Sequence, residues 1–269
     1  MKRGQVTRGA AWALITGAGS GIGRCYAERL AALGYNLILV GQEAGPLRKA
    51  ADELTAHYQV SVRPITLDLA RLEAADELYT MVAAAGIEVD VLINNAGIFS
   101  FCDVLATDET RIERMLLLHD MTTTKLCRRY AARMIERGVR GHILNMSSYS
   151  LWMPFPGLAA YSASKAYIKS FSEAFAKELR KTGVTITAIC PAGIATDLYG
   201  LSKGLQKFGV KSGILMSPKS CARRGLNAMF RGKRVVVPDW WYRLLIPMCM
   251  YLPGFIIRPL RNFTMKWQK

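Results

Sequence analysis

A chain of 269 residues is longer than the commonest domain, yet α/β folds of about 200–250 residues regularly form one unit, and 51% apolar content is ample for one core. Six cysteines (25, 102, 127, 190, 221, 249) show no CxxC pairing, and no His/Cys/carboxylate grouping suggests a metal. With no signal-peptide pattern at the N-terminus, buried thiols in a reducing, cytoplasmic compartment are expected.

Residues 11–15 form a short apolar run ending in Thr16-Gly17-Ala18-Gly19-Ser20-Gly21-Ile22-Gly23, ahead of a helical stretch over 24–33. In the order strand, glycine turn, helix, the glycines let backbone approach a pyrophosphate at the positive end of the helix. Strand-like runs recur at 37–40, 60–67, 89–93, 142–146, 184–189 and 234–237, with helical stretches between. That alternation predicts an α/β fold over 1–238: a single doubly wound, Rossmann-type parallel sheet with helices on both faces. Ligands in such sheets bind beyond the carboxyl ends of the strands. Each motif follows one of these runs: Gln42, Asp68, Asn94-Asn95-Ala96-Gly97, Asn145-Met146-Ser147-Ser148 and Pro191-Ala192-Gly193-Ile194-Ala195-Thr196.

Tyr161 and Lys165 carry the chemistry. Four residues apart on a helix, they share one face. A tyrosine with a pKa of about 10 is a poor acid at neutral pH. A cation about 4 Å away, at an effective dielectric near 20, favours the phenolate by roughly 4 kcal/mol, or about three pK units before desolvation takes some back. A tyrosine so tuned can pass a proton to a carbonyl oxygen, and Ser148, thirteen residues upstream, can hold that oxygen.

Taken as a set, these residues resemble the short-chain dehydrogenase/reductase family from Ala11 to Pro238. The resemblance implies an NAD(P)-dependent oxidoreductase with Ser148, Tyr161 and Lys165 as catalytic residues. The cofactor residues it implies are Gly17, Gly19, Ser20, Gly21, Ile22, Gly23, Gln42, Asp68, Asn95, Ala96, Gly97, Tyr161, Lys165, Pro191, Gly193, Ile194 and Thr196. By position Ser148, rather than Ser147, matches the family's serine. Ala192 stands where a glycine is common in the loop after Pro191.

Two departures stand out. The acid that binds the ribose hydroxyls of NAD is replaced by Gly41, and the arginine that clamps the 2′-phosphate of NADP by Gln42. The missing acid removes a repulsion, so NADP(H) is favoured over NAD(H), with Arg24 and Arg48 as candidate phosphate partners. In addition, His119 occupies the place of an asparagine that fixes a water behind the lysine. Either His119 joins that proton relay and adds pH sensitivity near its pKa of about 6.5, or it fills space while water or Asp120 serves.

Residues 198–217 read as a lid, and Phe99, Phe101, Leu151, Trp152, Met153 and Phe155 beside the motifs suit an apolar carbonyl substrate. The net charge of +16 is concentrated late in the chain: from residue 198 onward there are fourteen Lys/Arg against one acid, Asp239. The segment 239–269 reads as a basic, apolar tail. Its 14 mostly apolar residues at 244–257, interrupted by Pro247 and Pro253, are too short for a membrane span. They suit a membrane interface, although packing over the substrate pocket explains the apolar residues equally well. No nucleic-acid recognition motif accompanies the bases. A homodimer is expected by family resemblance, through the helix bearing Tyr161. The leading expectation is a reductase for a lipid-like ketone, peripheral on a membrane; the alternative is a catalytically weak NADP(H)-binding regulator or scaffold, supported by His119 and the Gly41-Gln42 pair.

Overall fold

The computed structural model describes residues 11–153, 155–196 and 202–251. Seven parallel strands form one sheet: β1 (Trp12–Thr16), β2 (Asn36–Gly41), β3 (Val62–Thr66), β4 (Val89–Asn94), β5 (His142–Met146), β6 (Thr185–Ile189) and β7 (Val235–Val236). Their order is β3-β2-β1-β4-β5-β6-β7, so the chain reverses direction of travel between β1 and β4, where a crevice opens. The register sets Ile15 beside both Leu39 and Ile93, which brings the ends of β1, β2 and β4 level.

Alternate residues of each strand supply two cores. Ala13, Ile15, Leu37, Leu39, Leu144 and Ile189 meet α1 (Gly21–Ala32), α2 (Ala44–Tyr58) and α8 (Pro218–Phe230) on one face. Leu14, Ile38, Val40, Leu92, Ile143 and Ile186 meet α3 (Ala74–Ala84), α5 (Thr123–Glu136) and α6 (Ala159–Glu178) on the other. Burial on both faces explains why the strands read as continuous apolar runs. Full burial of one such Leu or Ile is worth roughly 1.5–3 kcal/mol, so truncating Leu14 or Ile15 would be felt throughout the sheet.

β6 starts one residue later than the sequence suggests, at Thr185, and two strands are shortened at both ends. β3 covers 62–66 rather than 60–67, and β7 covers 235–236 rather than 234–237. Both are edge strands with a partner on one side only, and β3 accommodates Pro64 there because no second neighbour needs its missing N–H.

Between α4 (Glu109–Leu116) and α5 the helical path widens into a π turn, Leu117–Thr122, which carries His119. Within 198–217, residues 198–201 lie outside the described residues and Lys203–Lys211 form α7. The tail begins as α9 (Trp240–Met250), which runs through Pro247 instead of stopping there. Its packed face (Tyr242, Ile246 and Cys249 against Tyr149 and Val237) and the bond from Tyr149 Oη to Tyr242 O at 2.8 Å hold the helix despite the proline. Arg258, Arg261, Lys266 and Lys269, together with Pro253, lie outside the described residues.

Candidate active site

The glycine turn follows β1 directly. Gly17 has φ +64°, and a Cβ on Gly23 would lie 2.1 Å from the Gly17 carbonyl oxygen, so only glycine lets α1 start this close to the strand. Thr16 laces the turn to the end of β4: its Oγ1 accepts from the Asn95 and Ala96 N–H groups, each at 2.9 Å. Asn95 Nδ2 returns a bond to the Thr16 carbonyl at 2.9 Å. The first turn of α1 has neither an acidic residue nor a side-chain cap from Ser20. The helix therefore presents an uncapped positive end, which suits the pyrophosphate of a dinucleotide.

This turn forms one end of a cavity of about 610 Å³. Gly17, Ser20, Gly21 and Ile22 border it from the turn, and Asn95, Ala96 and Gly97 from the end of β4. Pro191, Ile194 and Thr196 border it from the loop after β6, and Ser148, Tyr161, Lys165 and His119 stand at its centre. Four separated motifs thus converge on one cleft.

Tyr161 and Lys165 lie in the first two turns of α6, with Lys165 Nζ 5.6 Å from the centroid of the tyrosine ring. Phe99 meets the same ring edge-on at 5.1 Å, and Met115 and Leu158 complete an apolar seat for Tyr161. Ser148 Oγ faces the cleft and accepts from Ser150 N at 3.1 Å. Ser147 is buried, and its Oγ donates to the Lys165 carbonyl at 2.7 Å. Both serines border the cleft, but Ser147 spends its hydroxyl proton on the helix, which leaves Ser148 as the candidate to hold a ligand.

Lys165 is buried. Its ammonium donates to the Met146 carbonyl at 3.2 Å and lies 3.4 Å from His119 Nε2. Burial pulls its pKa down to about 7, opposed by the charges of Asp120 and Cys190. The spacing of the two residues predicts tuning of Tyr161 by a full positive charge. Desolvation weakens the hold of Lys165 on its proton at neutral pH before any ligand arrives.

His119 Nε2 accepts from the Ile98 N–H at 3.1 Å, and Nδ1 lies 2.9 Å from Ser164 Oγ. Ser164 spends its own proton on the Tyr161 carbonyl at 2.8 Å. Hydrogen-bond accounting thus assigns the imidazole proton to Nδ1. Burial and the neighbouring Lys165 hold the imidazole pKa well below its usual value. Of the two readings of His119, this favours the one without titration near 6.5, because charging the imidazole would cost desolvation beside another cation. Asp120, next along the π turn, is half-buried, and burial pushes its pKa up to about 6 against the pull of Lys165.

At the far end of the crevice Gln42 Nε2 donates to Asp68 Oδ1 at 2.5 Å, and Arg114 Nη2 pairs with Asp68 Oδ2 at 2.9 Å. These two positions do not border the central cavity, nor do Gly19, Gly23 and Gly193. A Cβ on Gly193 would press on the end of the Leu215 side chain, 2.6 Å from Cδ2, which would have to shift. Arg24, a candidate phosphate partner, is held instead by Glu28 at 3.2 Å and Glu53 at 2.9 Å on the α1–α2 flank. Arg48 is exposed on α2. The flanking apolar residues also divide. Phe99, Phe101 and Phe155 stack in a row on the tyrosine's side, whereas Leu151, Trp152 and Met153 pack towards α9. Ile98 and Met146 act through backbone atoms that leave no side-chain signature in the sequence, and within the stretch read as a lid Lys203 and Gln206 of α7 border the cleft.

Fold and cleft define a class: a Rossmann-type oxidoreductase with its site at the β1/β4 switch point. The chain belongs to the short-chain dehydrogenase/reductase family, since the short chain dehydrogenase family model matches residues 11–203. It is 36% identical over 200 residues to a very-long-chain 3-oxoacyl-CoA reductase of Anas platyrhynchos, covering 72% of this chain and 62% of that protein. The bulky-bulky ketone specific alcohol dehydrogenase from Comamonas testosteroni superposes with a TM-score of 0.75 at 26% identity, over 96% of this chain and 95% of the other. A short-chain dehydrogenase from Sphingobium yanoikuyae in complex with NADPH superposes with a TM-score of 0.76 at 28% identity, over 87% and 91%.

Proposed function

We propose that this protein reduces an apolar, lipid-like ketone to a secondary alcohol with NADP(H), and runs the reverse oxidation when substrate levels favour it. The observation that carries the reading is the convergence of Ser148, Tyr161 and Lys165 beside the open end of α1 in one cleft. When bound, the nicotinamide supplies the hydride. Tyr161 donates the proton to the carbonyl oxygen, Ser148 holds that oxygen by a hydrogen bond, and Lys165 favours the resulting phenolate. Asn95, Ala96, Gly97, Pro191, Ile194 and Thr196 would line the cofactor, with the pyrophosphate against Ser20, Gly21 and Ile22. Residues Gln42 and Asp68 would border its adenosine end.

The preference for NADP(H) rests on Gly41, which offers no carboxylate to repel a 2′-phosphate. The substrate class rests on the phenylalanine row next to Tyr161 and on the relative that acts on 3-oxoacyl-CoA. We also propose a homodimer: Ala159 and Ala163 are exposed on α6 beside an apolar groove of about 640 Å³, where small residues permit close helix packing. The comparisons give the regulatory alternative no support.

The test is NADPH oxidation with a panel of 3-oxoacyl thioesters, bulky aryl ketones and steroids, for the natural protein and Tyr161→Phe. Turnover that the variant abolishes supports the reading. Tight NADPH binding with no turnover on any ketone would reverse it in favour of a cofactor-binding regulator.

A further inference from the structure

Two elements beside the cleft carry apolar side chains outward. α9 is two-faced: Tyr242, Ile246 and Cys249 pack inward, while Leu244, Met248 and Tyr251, at i, i+4 and i+7, are 71%, 57% and 78% exposed. α7 leaves Phe208 67% exposed between Lys207 and Lys211, and Leu205 53% exposed. Exposed apolar side chains grouped on neighbouring helices are uncommon on a monomer with no partner for them.

α9 is tied to the loop after α7 and to Tyr149 beside Ser148. Tyr242 Oη donates to the Ile214 carbonyl, just past α7, at 3.0 Å, and Tyr149, the residue after Ser148, donates to the Tyr242 carbonyl. On its other side α7 contributes Lys203 and Gln206 to the cleft wall. The cleft wall thus continues into α7, and α9 is linked to it through Ile214.

Charge identifies the occupant. α7 carries Lys203, Lys207 and Lys211 and α9 carries Arg243, with no acid on either helix. Eleven residues of α9 span about 16 Å, too short for a hydrocarbon core of about 30 Å, and among the described residues no helix is long and apolar enough to cross one. An amphipathic helix lying flat with bases nearby suits an anionic bilayer surface.

We propose that the outward faces of α7 and α9 form one docking surface for an anionic lipid bilayer, placed so that substrate enters the cleft from the lipid. The entry route rests on the lipid-like ketone reading; the docking itself does not. In this arrangement the tail's membrane role is shared with α7, and only the outer face of α9 takes part.

The experiment is sedimentation of the full-length protein with phosphatidylcholine vesicles, with and without phosphatidylserine, at low and high salt. It is repeated for Leu244→Asp/Met248→Asp and for Phe208→Asp, with thermal melts as the check that each variant is folded. The expected result is partitioning that requires phosphatidylserine, weakens with salt, and falls at least tenfold in either folded variant. Failure of the natural protein to partition would overturn the proposal, as would partitioning that both variants retain. If the α9 variant instead converts a dimer to a monomer in ultracentrifugation with no change in vesicle binding, the face is a self-association surface and the proposal fails. Because vesicle binding is read without turnover, an inactive protein would overturn the ketone reading alone.

Discussion

His119 Nε2 sits 3.4 Å from Lys165 Nζ while accepting the Ile98 N–H at 3.1 Å, so one imidazole nitrogen fixes both Lys165 and the backbone after β4. The π turn is what delivers this nitrogen: its wider path carries the side chain inward between β4 and α6. His119 is thus a positioning residue, acting through Lys165 and through Ser164.

His119→Asn keeps an acceptor at this place, whereas His119→Leu leaves the Ile98 N–H without one. An unsatisfied buried donor costs about 1–3 kcal/mol, so the leucine variant should melt lower and lose roughly tenfold or more in kcat/KM. The asparagine variant should stay within several-fold of the natural protein. Its pH–rate profile should keep the same inflections, because the imidazole does not titrate in the working range. An inflection near neutrality that vanishes in His119→Asn would contradict this.

Lys165 predicts an unusual pH dependence of stability. Its pKa is about 7 when folded, against about 10.4 in an unfolded chain, so between these values the unfolded state binds more protons. Stability of the protein without cofactor therefore rises with pH through that window, and the contribution is absent below pH 7. Melts of natural protein and Lys165→Met between pH 6 and pH 9 check it: the natural protein should gain relative to the variant as pH rises. A constant difference would mean that Lys165 is not desolvated as the geometry indicates.

Tyr161→Phe keeps the aromatic seat against Phe99 and removes only the hydroxyl. Loss of a general acid should lower kcat by about 10²–10⁴, with NADPH affinity changed little. Ser148→Ala should lower kcat less, because Tyr161 still supplies the proton. Gly23→Ala places a methyl 2.1 Å from the Gly17 carbonyl and should weaken cofactor binding and lower the melt together, with overpacking of this size costing about 1–3 kcal/mol.

Gly41→Asp introduces a carboxylate where a 2′-phosphate would lie. The ratio of NADPH to NADH affinity should fall at least tenfold, about 1.4 kcal/mol, measured by fluorescence titration of each nucleotide. Gln42→Arg should move the ratio the other way, since a guanidinium pairs with phosphate in two bonds. Equal affinities in all three proteins would place the adenosine end elsewhere.

Much of this protein is legible from local pattern. Alternating apolar runs identify the strands, because both faces of a parallel sheet are buried and every strand residue needs an apolar neighbour. The turn from Gly17 to Gly23 and the four-residue spacing of Tyr161 and Lys165 are readable for the same reason: their geometry is set within one turn of helix or loop. Partnership and burial are different, being decided by residues far away in the chain. Arg24 carries no sign in the sequence that Glu53 will claim it, and nothing near Ser147 tells that its hydroxyl will serve the Lys165 carbonyl. The sequence alone thus determined the sheet and put the candidate serine, tyrosine and lysine beyond the carboxyl ends of its strands. Only the tertiary structure made His119 neutral, set Lys165 near pH 7 and folded α9 onto Tyr149, because desolvation and hydrogen-bond partners exist only once distant segments have packed.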